Sequence, residues 1–340
     1  MKAMILAAGL GTRLQPLTGR LPKPLLPLML VPLLAHLLAQ LRRQGVREVV
    51  VNGHHLADRL AAWLGDGRRW GLRVTFTHEA DILGTAGALK NARAHLQGAP
   101  FLVINADVLA DFDLQALWSW HRGRGALVTM VVRPGLIGPV TVDEYDRVRQ
   151  INGRPKRTGA GPECQGVDFT GIQIVEPQVL DAIPAGRFVS TTADTYPLLL
   201  QQGQPIFAYR HLGFWLDVGV PERYLRAHWD LLDGVLGAFW EEQLPAGSRI
   251  LRGTARQRID GATLHPPVVM GVDATLGHGA RVGPYAVLGA GCRLGPNAAV
   301  SESVLGDGTA VGGGAVLRHC ILAPGARVPD GQSLQEELLA

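Results

Sequence analysis

The last third of the chain keeps a strict apolar step of six. Leu264, Met270, Leu276, Val282, Leu288, Leu294 and Val300 recur without a miss. Two positions before each stands a smaller residue: Ala262, Val268, Ala274, Ala280, Ala286, Cys292 and Ala298. Leu305, Val311 and Leu317 resume the step after a one-residue shift, and Leu322 and Val328 follow another. Such a period predicts a hexapeptide β-helix, in which each short face points one aliphatic side chain inward. Gly271, Gly277, Gly283, Gly289 and Gly295 follow inward residues and are expected to ease the corners.

Residues 1 to about 235 carry a different pattern. Short apolar runs at 4–6, 48–52, 73–76, 101–104 and 126–132 read as strands. Between them, 33–43, 56–64, 84–95 and 113–122 read as helices. The alternation predicts an α/β domain whose mainly parallel sheet carries helices on both faces. The expected organisation is therefore an α/β domain over 1–235, a connector over 236–258 and a β-helix over 259–332. The charge-free stretch 24–41 is interrupted by Pro24, Pro27, Pro32 and His36. It reads as a loop and a buried helix starting near Pro32, and not as a membrane span.

Composition narrows the class further. With 340 residues, 47% apolar and 18% charged, the chain is expected to form soluble domains with substantial cores. A net charge of +4, scattered without basic runs, is a poor footprint for nucleic acid. Cys164, Cys292 and Cys320 are widely spaced, which suggests neither a disulfide framework nor a zinc site. A cytoplasmic location is expected from this cysteine usage and from an N-terminus that enters a strand at once.

The candidate chemistry begins directly after the first apolar run. Leu6-Ala7-Ala8-Gly9-Leu10-Gly11-Thr12-Arg13 places a glycine loop at the carboxyl edge of a strand, where open α/β sheets bind ligands. Gly9 and Gly11 let backbone N–H groups approach a polyphosphate. Arg13 and the Pro-flanked Lys23 add charge at two separated points, as cleavage at an α-phosphorus requires when charge builds on the departing pyrophosphate. The spacing fits neither a P-loop nor a dinucleotide fingerprint. Only four lysines stand against 29 arginines, so Lys23 is not common filler.

Two acids suit a divalent ion. Asp107 follows the strand 101–104, and Asp217 lies in the apolar string Phe214-Trp215-Leu216-Asp217-Val218-Gly219-Val220-Pro221. Asp217 fits a helix cap as well. Leu83-Gly84-Thr85-Ala86-Gly87 stands at a helix start, where glycine lets a flat base lie against backbone; a plain capping turn reads the same.

Together these strings resemble the sugar-nucleotide pyrophosphorylases, most of all the mannose-1-phosphate guanylyltransferases. The resemblance covers about residues 2–232 and 260–330. It implies a nucleotide-diphospho-sugar transferase fold, Rossmann-like with a mixed sheet, followed by a left-handed β-helix. It implies a reaction of a nucleoside triphosphate with a sugar 1-phosphate, giving a nucleotide sugar and pyrophosphate with Mg²⁺. GTP with mannose 1-phosphate leads. UTP or dTTP with glucose 1-phosphate is the alternative, as is a silent homologue that binds a nucleotide sugar and regulates a partner.

Carried over by residue, the resemblance gives Leu6, Ala7, Ala8, Gly9, Gly11, Thr12, Arg13 and Lys23 to the nucleotide, with Arg13 and Lys23 catalytic. Glu79, Gly84 and Thr85 face the base, with Glu79 accepting from guanine. Asp107 and Asp217 hold the metal. Arg154, Thr170 and Gly171 face the sugar phosphate. The chain departs from the pattern twice. Ala106 replaces a glycine before Asp107, and Asn152-Gly153-Arg154-Pro155 stands where a Glu-Lys-Pro motif is usual. Lys156 is the alternative phosphate contact. No nucleic-acid or membrane partner is expected; a homo-oligomer formed through the β-helix is.

Overall fold

The computed structural model describes residues 1–135, 138–152, 164–237, 240–253, 256–259 and 261–339. Packing divides the chain into two compact units that do not follow chain order. One holds Met1–Leu10 and Leu37–Trp215; the other holds Gly11–His36 and Leu216–Ala340. Residues 11–36 thus group with the C-terminal part, where chain order alone would have kept them with the α/β domain.

The first unit is built on strands β1 (Lys2–Leu6), β2 (Glu48–Gly53), β3 (Arg73–His78), β4 (Phe101–Asn105), β5 (Val128–Pro134), β6 (Val140–Val142), β7 (Val148–Ile151), β8 (Gln165–Val175) and β9 (Ile206–Arg210). They form one sheet in the order β7-β6-β8-β4-β1-β2-β3, with β5 pairing β8 and β9. Around β1 the pairing is parallel, with β2 on one side and β4 on the other. Ala3, Met4 and Ile5 are fully buried, as a central parallel strand covered on both faces requires. Beyond β4 the pairing turns antiparallel through β8. The sheet is therefore mixed, and the antiparallel half lies where hydrophobic runs alone read as more of the same.

Helices α1 (Leu33–Arg43), α2 (Ala57–Leu64), α3 (Gly84–Asn91), α4 (Arg93–Leu96) and α5 (Leu114–Arg124) stand close to the expected positions, except that 84–95 breaks into two at Ala92. Two further helices follow, α6 (Tyr196–Gln201) and α7 (Pro221–Leu232). The start of α5 is capped by Asp113, whose Oδ1 accepts from Gln115 N at 2.8 Å and Ala116 N at 3.0 Å. No described helix is long and apolar enough to cross a membrane.

In the second unit the period of six becomes a parallel β-helix with three faces. Leu264, Val282, Val300 and Leu317 stack in line on one face, and Met270, Leu288, Leu305 and Leu322 on the next. These side chains are buried and share one core. The first coil has eighteen residues and later coils seventeen, which is the one-residue shift seen in the sequence. The lost residue comes from the corner between Val300 and Leu305, and again between Leu317 and Leu322. There Glu302 and His319 adopt left-handed backbone, φ 52° and 55°, as Tyr285 does one coil earlier at 56°.

Of the five corner glycines, Gly283 has left-handed backbone, φ 92°, as expected of a residue that eases a turn, but the other four have a different physical reason. A Cβ on Gly271, Gly277, Gly289 or Gly295 would lie 2.5 Å from backbone of the next coil. None of these four has positive φ. They are glycine because the coils touch there, and not because the chain bends.

Candidate functional site

At the carboxyl end of β1 the chain is held by its neighbours. Leu6 O accepts from Ala106 N at 3.0 Å, beside the turn that carries Asp107. The buried Ala7 donates its N–H to Oδ1 of Asn52, at the end of β2, at 2.7 Å. Asn52 in turn donates from Nδ2 to Glu79 Oε1 at 2.7 Å, and Glu79 Oε2 accepts from Leu83 N at 3.0 Å. A continuous chain of hydrogen bonds therefore runs from the glycine loop to the start of α3. Glu79 is 2% exposed, and both its oxygens receive donors of its own chain. Burial without these donors would be costly for a carboxylate. Beyond Ala7, Gly9 and Leu10 are exposed, and Gly9 has open space around it.

The Leu83–Gly87 string is shaped by the backbone of residues 187–191. Ala86 N and Gly87 N both donate to Val189 O, at 2.9 and 3.2 Å, and Val189 N donates to Leu83 O at 2.8 Å. Thr85 Oγ1 accepts from Thr191 N at 2.8 Å. Gly84 has φ +72°, and a Cβ there would lie 2.6 Å from Val189 O. Glycine is thus required by a close approach that the sequence did not reveal.

Asp107 is half-buried in the turn after β4. The neighbouring Asn105 approaches Gly171, where a Cβ would lie 2.7 Å from its Nδ2. Gly171 has φ +81° and falls where the register of β8 against β5 shifts, between Phe169 and Gln173. Thr170 secures this bulge: its hydroxyl donates to Val131 O at 2.7 Å, and its carbonyl accepts from Trp215 Nε1 at 2.8 Å. Arg154 and Lys156 lie outside the described residues.

The other site residues belong to the second unit. Gly11 takes left-handed backbone, φ 64°, ahead of the short turn of helix Thr12–Leu14. A Cβ on it would meet Thr18 Cγ2 at 2.8 Å and Lys23 Cβ at 3.2 Å, so the glycine lets the Lys23 segment fold back on the loop. Lys23 opens its own helical turn with Pro24 behind it. Arg13 and Asp217, 204 positions apart in the chain, both approach Gly219: a guanidinium nitrogen and carboxylate Oδ2 each lie 3.2 Å from the point a Cβ would occupy. Asp217 also forms an ion pair with Arg223 of α7.

Behind Lys23 the chain makes a hairpin in which Pro27-Leu28 pairs with Val31-Pro32. Buried side chains hold its turn. His36 Nε2 donates to Leu28 O at 2.9 Å, and His228 Nδ1 accepts from Met29 N at 3.3 Å. Tyr224 Oη donates to Pro27 O. Burial lowers His36 to about 4 and, with the nearby His36, lowers His228 to about 3; both rings are neutral at pH 7.

Sequence reasoning missed Asn52, Asn105 and Arg223. The first two close apolar strands with a single polar residue, as Asp107 does just after β4, and that shared pattern was the available signal.

A family model described as nucleotidyl transferase matches residues 2–234. The mannose-1-phosphate guanylyltransferase of Mycobacterium tuberculosis is 34% identical, over 83% of this chain and 76% of its own length. The UTP–glucose-1-phosphate uridylyltransferase of Synechocystis is 33% identical, over 69% of this chain and 63% of its own. The mannose-1-phosphate guanyltransferase beta-B of Xenopus laevis is 35% identical over 66% and 63% respectively. Against the last two, the chain spans less than two thirds of the relative's length. The crystal structure of HddC from Yersinia pseudotuberculosis complexed with GMP-PN shares the fold, at a TM-score of 0.56 and 24% identity, over 68% of this chain and 99% of that one. By the extent of the family match and of the first relative, the chain belongs to the nucleotidyl transferase family of enzymes.

Proposed function

We propose that the protein transfers a nucleotidyl group from a nucleoside triphosphate to a sugar 1-phosphate, with GTP and mannose 1-phosphate as its substrates. The observation that carries the reading is the approach of both Arg13 and Asp217 to the same residue, Gly219. It brings the cation of the glycine loop near a carboxylate suited to a metal-bound phosphate. The choice of GTP and mannose 1-phosphate is supported by the two guanylyl relatives and by the Leu-Gly-Thr-Ala-Gly string. The Synechocystis relative supports UTP with glucose 1-phosphate as the second reading.

An oxygen of the sugar phosphate attacks the α-phosphorus in line. The new P–O bond forms as the bond to the β-phosphate oxygen breaks, and pyrophosphate leaves with that electron pair. Arg13 and Lys23 oppose the charge that builds on it. Positioning and electrostatics suffice for such chemistry, so no general base is needed. Glu79 acts here through Asn52 and Leu83, setting the glycine loop and the start of α3. Thr170 and Gly171 shape the bulge on the sugar side.

Asp107 and Asp217 are the residues that would hold Mg²⁺. Both offer hard oxygen, and Mg²⁺ takes only one or two protein carboxylates, completing its shell with phosphate and water. Asp217 already faces the cation of Arg223, which supports its reading as a carboxylate suited to positive charge. When bound, Mg²⁺ supplies charge to bind the phosphates and stabilise the α-phosphorus.

The test is a matrix of the four nucleoside triphosphates against several sugar 1-phosphates, with pyrophosphate release measured. Release fastest with GTP and mannose 1-phosphate is expected. A maximum with UTP or dTTP and glucose 1-phosphate moves the protein to the second reading, and no release with any pair removes both.

A further inference from the structure

Helix α7 touches two parts of the second unit that are far apart in sequence. Tyr224 and His228 are four residues apart and so share a face. Together with His36 they grip three successive residues, Pro27, Leu28 and Met29. The turn they grip is strained: Met29 and Leu30 have φ 53° and 68°, left-handed values that branched or bulky residues rarely take. Strain of this kind persists only where surroundings impose it. Lys23 is tied to the same hairpin by Leu26 N, which donates to Lys23 O at 3.1 Å, and by Leu33 N, which donates to Leu26 O at 3.0 Å.

The last turn of α7 rests on the β-helix. The Trp229 ring lies 5.9 Å from that of Tyr285 and 5.3 Å from that of His319. Tyr285 Oη donates to Asp233 Oδ1 at 2.8 Å. Glu302, one coil before His319, accepts from Arg318 at 2.9 Å and lies 3.2 Å from His319 Nδ1. Tyr285, Glu302 and His319 are the left-handed corner residues, seventeen positions apart on successive coils. The irregular corner of the coils is thus the seat of α7.

We infer that α7 positions the Lys23 segment from the β-helix, so that the seat at Tyr285, Glu302 and His319 is part of the catalytic geometry. The inference rests on the reading of Lys23 as a contact of the departing pyrophosphate. Trp229 and His228 are positioning residues in this scheme; neither touches substrate.

The test uses the full chain in both reaction directions, with thermal unfolding to follow the fold. Trp229→Ala should lower kcat roughly 5- to 30-fold, the range one or two kcal/mol spans. It should also raise the KM for pyrophosphate in the reverse direction while leaving that for the sugar 1-phosphate unchanged. His228→Phe should move the same two quantities, and Trp229→Phe should restore both. A folded Trp229→Ala with wild-type kcat and pyrophosphate KM overturns the inference. Should Trp229→Ala not fold, Tyr285→Phe decides: it removes only the hydroxyl on Asp233, and wild-type values there overturn the inference too. Lys23→Ala separates the two layers. Turnover surviving Lys23→Ala removes the underlying reading, whereas loss with Lys23→Ala beside a silent Trp229→Ala removes the inference alone.

Discussion

The β-helix and the sheet unit cover their backbones in opposite ways. In the coils, inward side chains stack on other aliphatic ones above and below; Val282 lies between Leu264 and Val300. Neighbours are interchangeable, and any one coil is a sample of the rest. In the sheet unit the polar groups that matter have particular partners, most of them far away in sequence. Asn52 joins Ala7 to Glu79, across 45 and 27 residues. Repetition spreads stability over many positions; designation concentrates function in few.

The sharpest way to break this contrast is to damage one coil. Leu288→Ala removes a fully buried side chain and should cost about 2–5 kcal/mol, read as a lowered unfolding midpoint. Its kcat, measured well below that midpoint, should stay near wild type because Leu288 is not in the seat of α7. A kcat loss larger than that of Trp229→Ala would end the idea that coils are interchangeable.

Next in size comes a designated group. Asp107→Asn should lose 10²-fold or more in turnover, about 2.7 kcal/mol, with the unfolding midpoint kept. EDTA should abolish wild-type activity and Mg²⁺ restore it; full activity in EDTA would remove the metal assignment. Asn52→Leu should then cost about 1–3 kcal/mol of stability, because it strands the Ala7 amide and one oxygen of buried Glu79. Unchanged stability in Asn52→Leu would show that the strand-end polar groups are not designated at all.

A graded test of the second unit comes from pH. His36 and His228 bind protons only near 4 and 3 when folded, against 6.5 in an unfolded chain. The unfolded state therefore binds more protons below pH 6.5, and stability falls as pH drops from there towards 4. The slope approaches roughly 1.4 kcal/mol per pH unit for each histidine. His228→Phe should flatten this slope; an unchanged slope would place the acid sensitivity elsewhere.

What was legible in the sequence follows the same division. The coils announced themselves through Leu264 to Val300, even to the one-residue shift, because a repeated environment selects a repeated residue type. The strands and helices of the α/β part were legible too, since burial on both faces leaves apolar runs such as that at Phe101–Asn105. The grouping of 11–36 with 216–340 was not legible: it depends on Tyr224 and His228 reaching a hairpin, and a single histidine carries no period. Gly84 was visible as a glycine with a purpose, but its partner, Val189 O, is a backbone atom with no residue signature. Glu79 was visible as an acid beside a glycine string, yet only the fold shows that Asn52 and Leu83 use both its oxygens.

The grip of α7 on the Met29 turn also sets an order of events during synthesis. Met29 and His228 are 199 residues apart. At typical elongation rates of about 5–20 residues per second, the hairpin waits roughly 10–40 s for the helix that holds it. Through that interval the turn after Pro27 lacks Tyr224 and His228, which hold it in the folded chain. The segment made among the first is among the last to settle, so a nascent chain stalled before residue 221 should present it to proteases and chaperones. A chain released with α7 in place should not.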